Sequence, residues 1–332
     1  YKDGYFQISS LNKKYLWVLI HEDEVPKKID NNIILLIPRK SNILIGLFNL
    51  IKYSLKIIIR NKFKINNILH QFSYDSFLAN FIRDFFIDNN LFERIKSLHV
   101  PLESQPFQNT LIHLARKKKI LTIGYDHTCN PFPFYNNYSK ISPDKLMVHS
   151  NCSLKFYTKI LNWPNKKVKK IPSERFNKRK KSFYSNKLFL PIMINNFNKI
   201  LSRLEILFRD HSKSFDTSKL KICLHPATKN LKKFKHFENK IIELQKKYSK
   251  KVTNNRTALF SIHVGNTSTI IESLEHGLEA IHVISSDFFD FLSPNLWYSV
   301  NNVKLENHIY RYKLKSFGHC VSFNYKKKRV SL

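Results

Sequence analysis

Two short groups of residues in this chain have the types and spacing for chemistry. The first is Gly265-Asn266-Thr267-Ser268-Thr269, which lies between an apolar run ending at Val264 and a helical pattern carrying Ile270, Ile271 and Leu274. Backbone N–H groups at a helix start lack intrahelical partners and carry partial positive charge, and neighbouring hydroxyls add donors. Such a turn suits an anionic oxygen, above all a phosphate. The plain alternative is an ordinary helix with Asn266 or Thr267 as its N-cap. The second group is His225-Pro226, which closes the apolar run 221–224. Pro226 cannot extend a ladder and biases His225 away from helix, so the imidazole is held at a strand end. There it is placed to donate to a phosphate, with Lys229 and Lys232 nearby as point charges. The alternative is a loop histidine with no duty.

Both groups need strands that end at one sheet edge. Residues 260–285 read as a buried strand, the turn, a helix stopped by Gly277, and a second buried strand. That is a strand–helix–strand unit with its polar turn where open α/β sheets bind ligands. Upstream, strands at 188–194, 220–224 and 258–264 alternate with helices at 197–208 and 237–248. The first half predicts strands at 31–38, 95–102, 120–125, 145–149 and 168–171, with helices at 107–117 and 154–161. Phe77, Phe81, Ile82 and Phe85 give a further helix over 74–89 core spacing. This alternation predicts parallel βα units. The fold class is therefore α/β, as two Rossmann-like βα domains facing a cleft. At 332 residues the chain exceeds one typical domain. Residues 173–187 are basic and lack apolar periodicity, which suggests domains at 1–175 and 188–332 joined by a linker at 176–187.

Composition narrows the classes. Lys and Arg number 57 against 24 Asp and Glu, a net charge of +33. That excess attracts phosphates, nucleic acid or anionic lipid, although Lys, Asn and Ile crowd the whole sequence and much of the charge is dispersed. An apolar content of 42% supports packed cores and rules out a disordered polymer. The four cysteines are far apart and form no CxxC pair, which fits reduced thiols in a cytoplasmic setting and no zinc site. Walker and dinucleotide glycine fingerprints are absent, so kinase and dehydrogenase readings gain nothing. No Asp-x-Asp element is present to hold a diphosphate through a metal, and neither metal nor cofactor is expected. The chain opens at Tyr1 with no secretory signal in view.

Residues 42–59 are apolar except for Asn42, Asn49, Lys52, Ser54 and Lys56. A mid-bilayer lysine costs about 2.5–3.5 kcal/mol, so two of them argue against a spanning helix. The expected role is a buried helix of the first domain with snorkelling lysines. The alternative uses Arg39, Lys40, Lys52, Lys56, Arg60, Lys62 and Lys64 to lie on an anionic membrane surface.

His225-Pro226 together with Gly265-Asn266-Thr267-Ser268-Thr269, Glu272 and Gly277 resembles the donor half of bacterial GT-B glycosyltransferases. The likeness is nearest to capsule and surface-carbohydrate enzymes, including Kdo- and sialic-acid-transferring families that use CMP-sugars. It implies that the histidine and the hydroxyl turn bind the nucleotide phosphate and that Glu272 holds the ribose. In the first half, Pro101-Leu102-Glu103-Ser104-Gln105-Pro106-Phe107 and Ile123-Gly124-Tyr125-Asp126-His127-Thr128 resemble the Glu-x-Gln-Pro-aromatic and Gly-Tyr-x-His segments of surface-carbohydrate biosynthesis proteins. Residues 143–148 and 168–175 continue that likeness. The Asp/Glu-Asp/Glu-Gly triplet that carries the base in bacterial sialyltransferases is missing.

The resemblance implies a metal-independent glycosyltransferase working in the cytoplasm, at the inner face of the cell membrane. It would move a sugar from a nucleotide-sugar, CMP-sugars favoured, to a surface polysaccharide or lipid-linked glycan. Such transfer needs a group to accept the acceptor proton and dipoles or cations to steady the leaving phosphate. Glu103 is the leading base, His127 the second candidate, and Asp126 an orienter or rival. As an alternative, Glu103 serves only as a capping carboxylate before the following helix. Two other classes compete. One is a basic nucleic-acid-binding protein, but the lysine runs at 117–119 and 326–329 lack interleaved aromatics, so no specific nucleic acid is expected. The other is a sugar-nucleotide epimerase on the same GT-B architecture.

Overall fold

The computed structural model describes residues 15–20, 31–36, 48, 51, 55, 74–103, 105–126, 136–177, 184–211, 217–225, 228–248, 259–265, 267–285, 299–316 and 323–324. The chain groups into two compact units, residues 1–125 with 138–146, and residues 126–137 with 147–332. The basic segment 176–187 lies inside the second of these.

In the first unit β1 (Trp17–Ile20) pairs in parallel with β2 (Ile33–Leu36). Helices α1 (Tyr74–Asp88) and α2 (Leu91–Arg94) precede β3 (Ser97–Pro101). From β3 the chain crosses through α3 (Pro106–Lys117) to β4 (Leu121–Tyr125), and the two strands are parallel. The start of α3 is specified locally. Pro106 occupies the first turn, where its missing N–H costs nothing, and Gln105 and Gln108 form a reciprocal capping box. Past β4, Asp144 accepts from the Thr122 N–H at 3.0 Å and the Thr122 hydroxyl at 2.8 Å, just before β5 (Lys145–Val148).

The second unit opens with α4 (Asn151–Lys159), whose N-cap Ser150 accepts from the Ser153 N–H at 2.9 Å. Strands β6 (Val168–Lys170) and β7 (Ser173–Asn177) follow. The main sheet then builds in chain order from β8 (Lys187–Phe189), α5 (Phe197–His211), β9 (Lys221–Cys223), α6 (Lys232–Tyr248), β10 (Phe260–Val264), α7 (Thr269–Glu275) and β11 (Glu279–Val283). The hairpin β12 (Val300–Glu306) and β13 (Ile309–Leu314) extends it, and β14 (Phe323–Asn324) pairs instead with β7.

Strand order in the six-stranded sheet is β12-β13-β11-β10-β8-β9. Strands β9, β8, β10 and β11 are mutually parallel, while β13 joins β11 antiparallel. Parallel strands covered on both faces should be buried throughout, and every residue of β10 is. Leu188, Ile262 and Ile281 meet Leu204, Phe208, Phe234 and Phe237 of α5 and α6 on one face. On the other face, Ile270, Ile271 and Leu274 of α7 pack with Ala280 and Tyr312. Helix α7 ends in a Schellman motif: Leu278 N–H bonds Ser273 C=O at 3.1 Å and Gly277 N–H bonds Leu274 C=O at 2.9 Å.

The fold is thus mixed α/β with parallel sheets, as expected, and several elements differ from the sequence reading. The strand expected at 188–194 stops at Phe189, because Pro191 has no N–H for the ladder. Ser173–Asn177 is a strand within the basic stretch, and the antiparallel hairpin β12–β13 had no expected counterpart. Of residues 42–59 only 48, 51 and 55 are described; they are helical and exposed, so this face is not the buried one expected. Among the described residues no helix is long and apolar enough to cross a membrane. Cys152 and Cys223 are free thiols, and Cys129 and Cys320 lie outside the described residues.

Gly277 sits at φ +73°, in the left-handed region. Gly277→Ala is therefore expected to lower unfolding free energy by about 1–2 kcal/mol, and Gly277→Asn by less. Equilibrium denaturation of the two variants beside the parent checks the ranking.

Candidate functional site

Strands β10 and β11 share the tripeptide Ile-His-Val, at 262–264 and 281–283, and the two copies lie side by side in register. Alternation sends Ile262 and Ile281 into the core under α5 and α6, and sends His263 and His282 to the opposite face. Both imidazoles are completely buried. A buried polar group must find hydrogen bonds or destabilise the fold, and these do. His263 Nε2 pairs with Ser261 Oγ at 2.8 Å and Nδ1 with Thr269 Oγ1 at 2.9 Å. The ring lies flat against Phe189 of β8, with centroids 5.0 Å apart. His282 Nε2 donates to the Gly265 carbonyl at 2.9 Å, and its Nδ1 meets the Tyr312 hydroxyl at 3.1 Å. Burial holds the His263 imidazole well below the usual histidine range, and the neighbouring His282 adds to the effect.

These two histidines hold the turn that follows β10. Gly265 has φ +66°, and a Cβ there would sit 2.6 Å from Ser285 Oγ, so no other residue fits without movement. Its N–H donates to the Val283 carbonyl at 2.8 Å, and its own carbonyl is taken by His282. Beyond it, Thr267 Oγ1 lies 3.0 Å from Thr269 Oγ1 and accepts from the Thr269 N–H at 3.4 Å. Ser268 caps α7 by position only, with no side-chain bond. Asn266 lies outside the described residues.

The direction of this bond chain follows from its buried end. Ser261 is fully buried, and its hydroxyl meets no partner other than His263 Nε2 among the described residues. A satisfied Ser261 must donate to Nε2, which places the imidazole proton on Nδ1. Nδ1–H then donates to Thr269, whose hydroxyl shares one further bond with the Thr267 hydroxyl, either of them donating. One of the two threonine protons is thereby left for an acceptor outside the chain of bonds. Thr267 Oγ1, by accepting from the Thr269 N–H, makes an N-cap-type bond at the start of α7, and the same threonines are tied to a buried histidine.

Topology sets this turn in a particular place. At adjacent carboxyl ends, β8 leads to α5 on one face and β10 leads to α7 on the other, so the loops part there. Such a divergence is where open α/β sheets hold ligands. His225 reaches the same edge from β9, level with Gly265 because Cys223 and His263 both register with Phe189. Strand β8 stands between them, which sets the two strand ends roughly 10 Å apart. His225 is half-buried; its carbonyl accepts from the Thr228 N–H at 2.8 Å and the Thr228 hydroxyl at 3.0 Å. Lys229 is exposed just beyond, and Pro226 lies outside the described residues. No protein-family model and no curated protein matches this chain.

Glu272 is buried in α7, and its carboxylate accepts from the buried Tyr184 hydroxyl, beside the His276 ring. Glu103 follows the carboxyl end of β3, half-buried, with its N–H donating to Gln108 Oε1 at 2.9 Å. Asp126 follows β4 and is buried, its N–H donating to the Met147 carbonyl at 2.9 Å. His127 lies outside the described residues. Among the described residues no group of three or more His, Cys, Asp or Glu is placed to hold a metal ion.

The sequence reading passed over His263 and His282, and also Arg203. Arg203 is buried on α5 and its guanidinium donates to the Ile284 carbonyl, next to the Ser285 that crowds Gly265. All three carried a signal: a polar residue at a core phase of its element, Arg203 with Ile200 and Leu207, each histidine between Ile and Val. In the first unit His99 behaves alike. It bonds Ser97 Oγ at 3.0 Å and the Tyr125 hydroxyl at 3.1 Å, and burial lowers its pKa.

Above the unfolded histidine pKa, about 6.5, His263 is neutral folded or unfolded and stability is unaffected. Below it the unfolded chain binds a proton that the folded chain refuses, so stability falls by up to about 1.4 kcal/mol per pH unit. His263→Gln is expected to remove that one-proton component. Denaturation midpoints and m-values between neutral and mildly acid pH give the slopes to compare; equal slopes would contradict the assignment.

Proposed function

We propose that this protein is a glycosyltransferase of GT-B architecture that uses a nucleotide-sugar donor, with the donor phosphate at the turn after β10. The observation that carries the reading is the position of that turn. A glycine-tight loop with a threonine hydroxyl left to donate lies where the connections from β8 and β10 diverge. Oxygen atoms of a phosphate match such donors, and a prearranged donor needs no reorganisation when charge builds on a leaving group. His225 at the same edge supplies a second donor, and Lys229 adds an unfocused charge.

Glu103 is the base in this reading, because it follows a strand end and is half-buried. Asp126 and His127 are its alternatives. Glu272 is left out of the nucleotide contacts, since Tyr184 holds its carboxylate. The acceptor class is a surface polysaccharide or lipid-linked glycan, at the cytoplasmic face of the membrane, and the CMP preference rests on the family likeness alone.

Calorimetric titration with CMP, UDP and GDP tests the donor site. At least one nucleotide should bind, and Thr267→Val or His225→Ala should each weaken it by about tenfold or more, the worth of a hydrogen bond to a charged group. Thr267→Ser, which keeps the hydroxyl, should bind nearly as the parent does. Absence of binding in folded protein would remove the donor reading. Binding untouched by both variants would reduce it to general attraction by a chain of charge +33. Glu103→Gln should spare binding and lower turnover by about 10²–10⁴-fold, the usual share of general-base catalysis. Sugar-nucleotide conversion without an acceptor would indicate an epimerase.

A further inference from the structure

Phe48, Ile51 and Leu55 are helical and 70, 50 and 54% exposed. Their i, i+3, i+7 spacing puts them within an arc of about 60° on one helix face. A row of exposed apolar side chains at one helix face calls for a partner. The surrounding sequence says what kind. From residue 31 to 74 there is no Asp or Glu, while Arg39, Lys40, Lys52, Lys56, Arg60, Lys62 and Lys64 are all basic. A partner must therefore be apolar at the depth of Phe48 and negative at its rim.

We propose that this segment docks the protein on an anionic lipid bilayer, with Phe48, Ile51 and Leu55 entering the acyl boundary and the basic residues at the headgroups. The apolar face separates this from simple charge attraction. Nucleic-acid phosphates would satisfy the lysines and arginines but give the three apolar side chains nothing to enter. Lysines at 52 and 56 interrupt the apolar run and oppose a spanning arrangement, which leaves a helix lying in the interface. Each basic residue near an anionic surface adds about 1 kcal/mol, roughly fivefold in partitioning, until salt screens it. This inference does not rest on sugar transfer, and its test needs no substrate.

The full chain is sedimented with phosphatidylcholine vesicles, with and without phosphatidylglycerol, at low and near-physiological salt. It should partition onto the anionic vesicles and much less onto the neutral ones. Combined Phe48→Ser, Ile51→Ser and Leu55→Ser should reduce partitioning by about tenfold or more, as apolar insertion is lost. Because the three side chains are exposed, the variant should keep the parent's melting temperature, and its circular-dichroism spectrum provides a second check that it is folded. Three outcomes overturn the proposal. The parent stays in the supernatant with anionic vesicles; the folded variant binds them as the parent does; or the parent self-associates without lipid and the variant is monomeric, which would make a second copy the partner.

Discussion

Everything at the carboxyl edge of the second sheet depends on satisfying two imidazoles that have no access to water. A parallel sheet covered on both faces ordinarily fills its strands with aliphatic residues, yet β10 carries Ser261 and His263, and β11 carries His282. Their hydrogen bonds have to be made within the protein, and the nearest available groups belong to the loop that leaves β10. His282 takes the carbonyl of Gly265 and His263 takes the hydroxyl of Thr269. The loop is thereby fixed at both ends by groups that cannot exchange it for solvent. A loop on a sheet edge is commonly one of the more mobile parts of a fold; this one is anchored from beneath.

The anchoring also separates two kinds of electrostatics. The surface carries a large positive excess spread over many lysines, and screening limits its reach to about a Debye length. The interior below the turn works by dipoles: a neutral imidazole, three hydroxyls in sequence, and a carbonyl held by a second imidazole. Arg203 is a fixed cation at this edge, and it is committed to the Ile284 carbonyl. Dipoles fixed in this way act by where their donors point, whereas the diffuse surface charge acts without direction.

Much of the second sheet was legible because its strands and helices have different periods. Val264 to Thr269 read as a turn, Gly277 as a helix stop and 278–285 as a strand, and the structure places β11 at Glu279–Val283. The common edge of His225 and Gly265 followed from both residues ending apolar runs. What stayed hidden had physical reasons. The β12–β13 hairpin turns through Asn307 and His308, with His308 at φ +65°, and lacks the Asn-Gly or Asp-Gly pair that marks such turns. Ser173–Asn177 holds a single apolar residue, Phe176, and pairs with a distant two-residue strand, which left no periodicity to read. The Tyr184 hydroxyl on the Glu272 carboxylate is a contact across 88 positions that spacing cannot reveal. His263 and His282 were read as part of an apolar pattern when they were its exception.

The two ends of the six-stranded sheet differ from its middle. One ends in β12, which is irregular between Lys304 and Glu306 and exposes Asn301, Val303 and Lys304. The other ends in β9, only three residues long with Lys221 exposed. An unpaired strand edge is a template for another chain, and a bulge, a short edge and exposed lysine each spoil it. Among the described residues both edge strands of this sheet are thus poor templates for strand addition, even in a chain whose buried β10 and β11 segments, FSIHV and EAIHV, are rich in strand-forming residues. The ragged margins guard the molecule against the aggregation that its most ordered strands would otherwise invite.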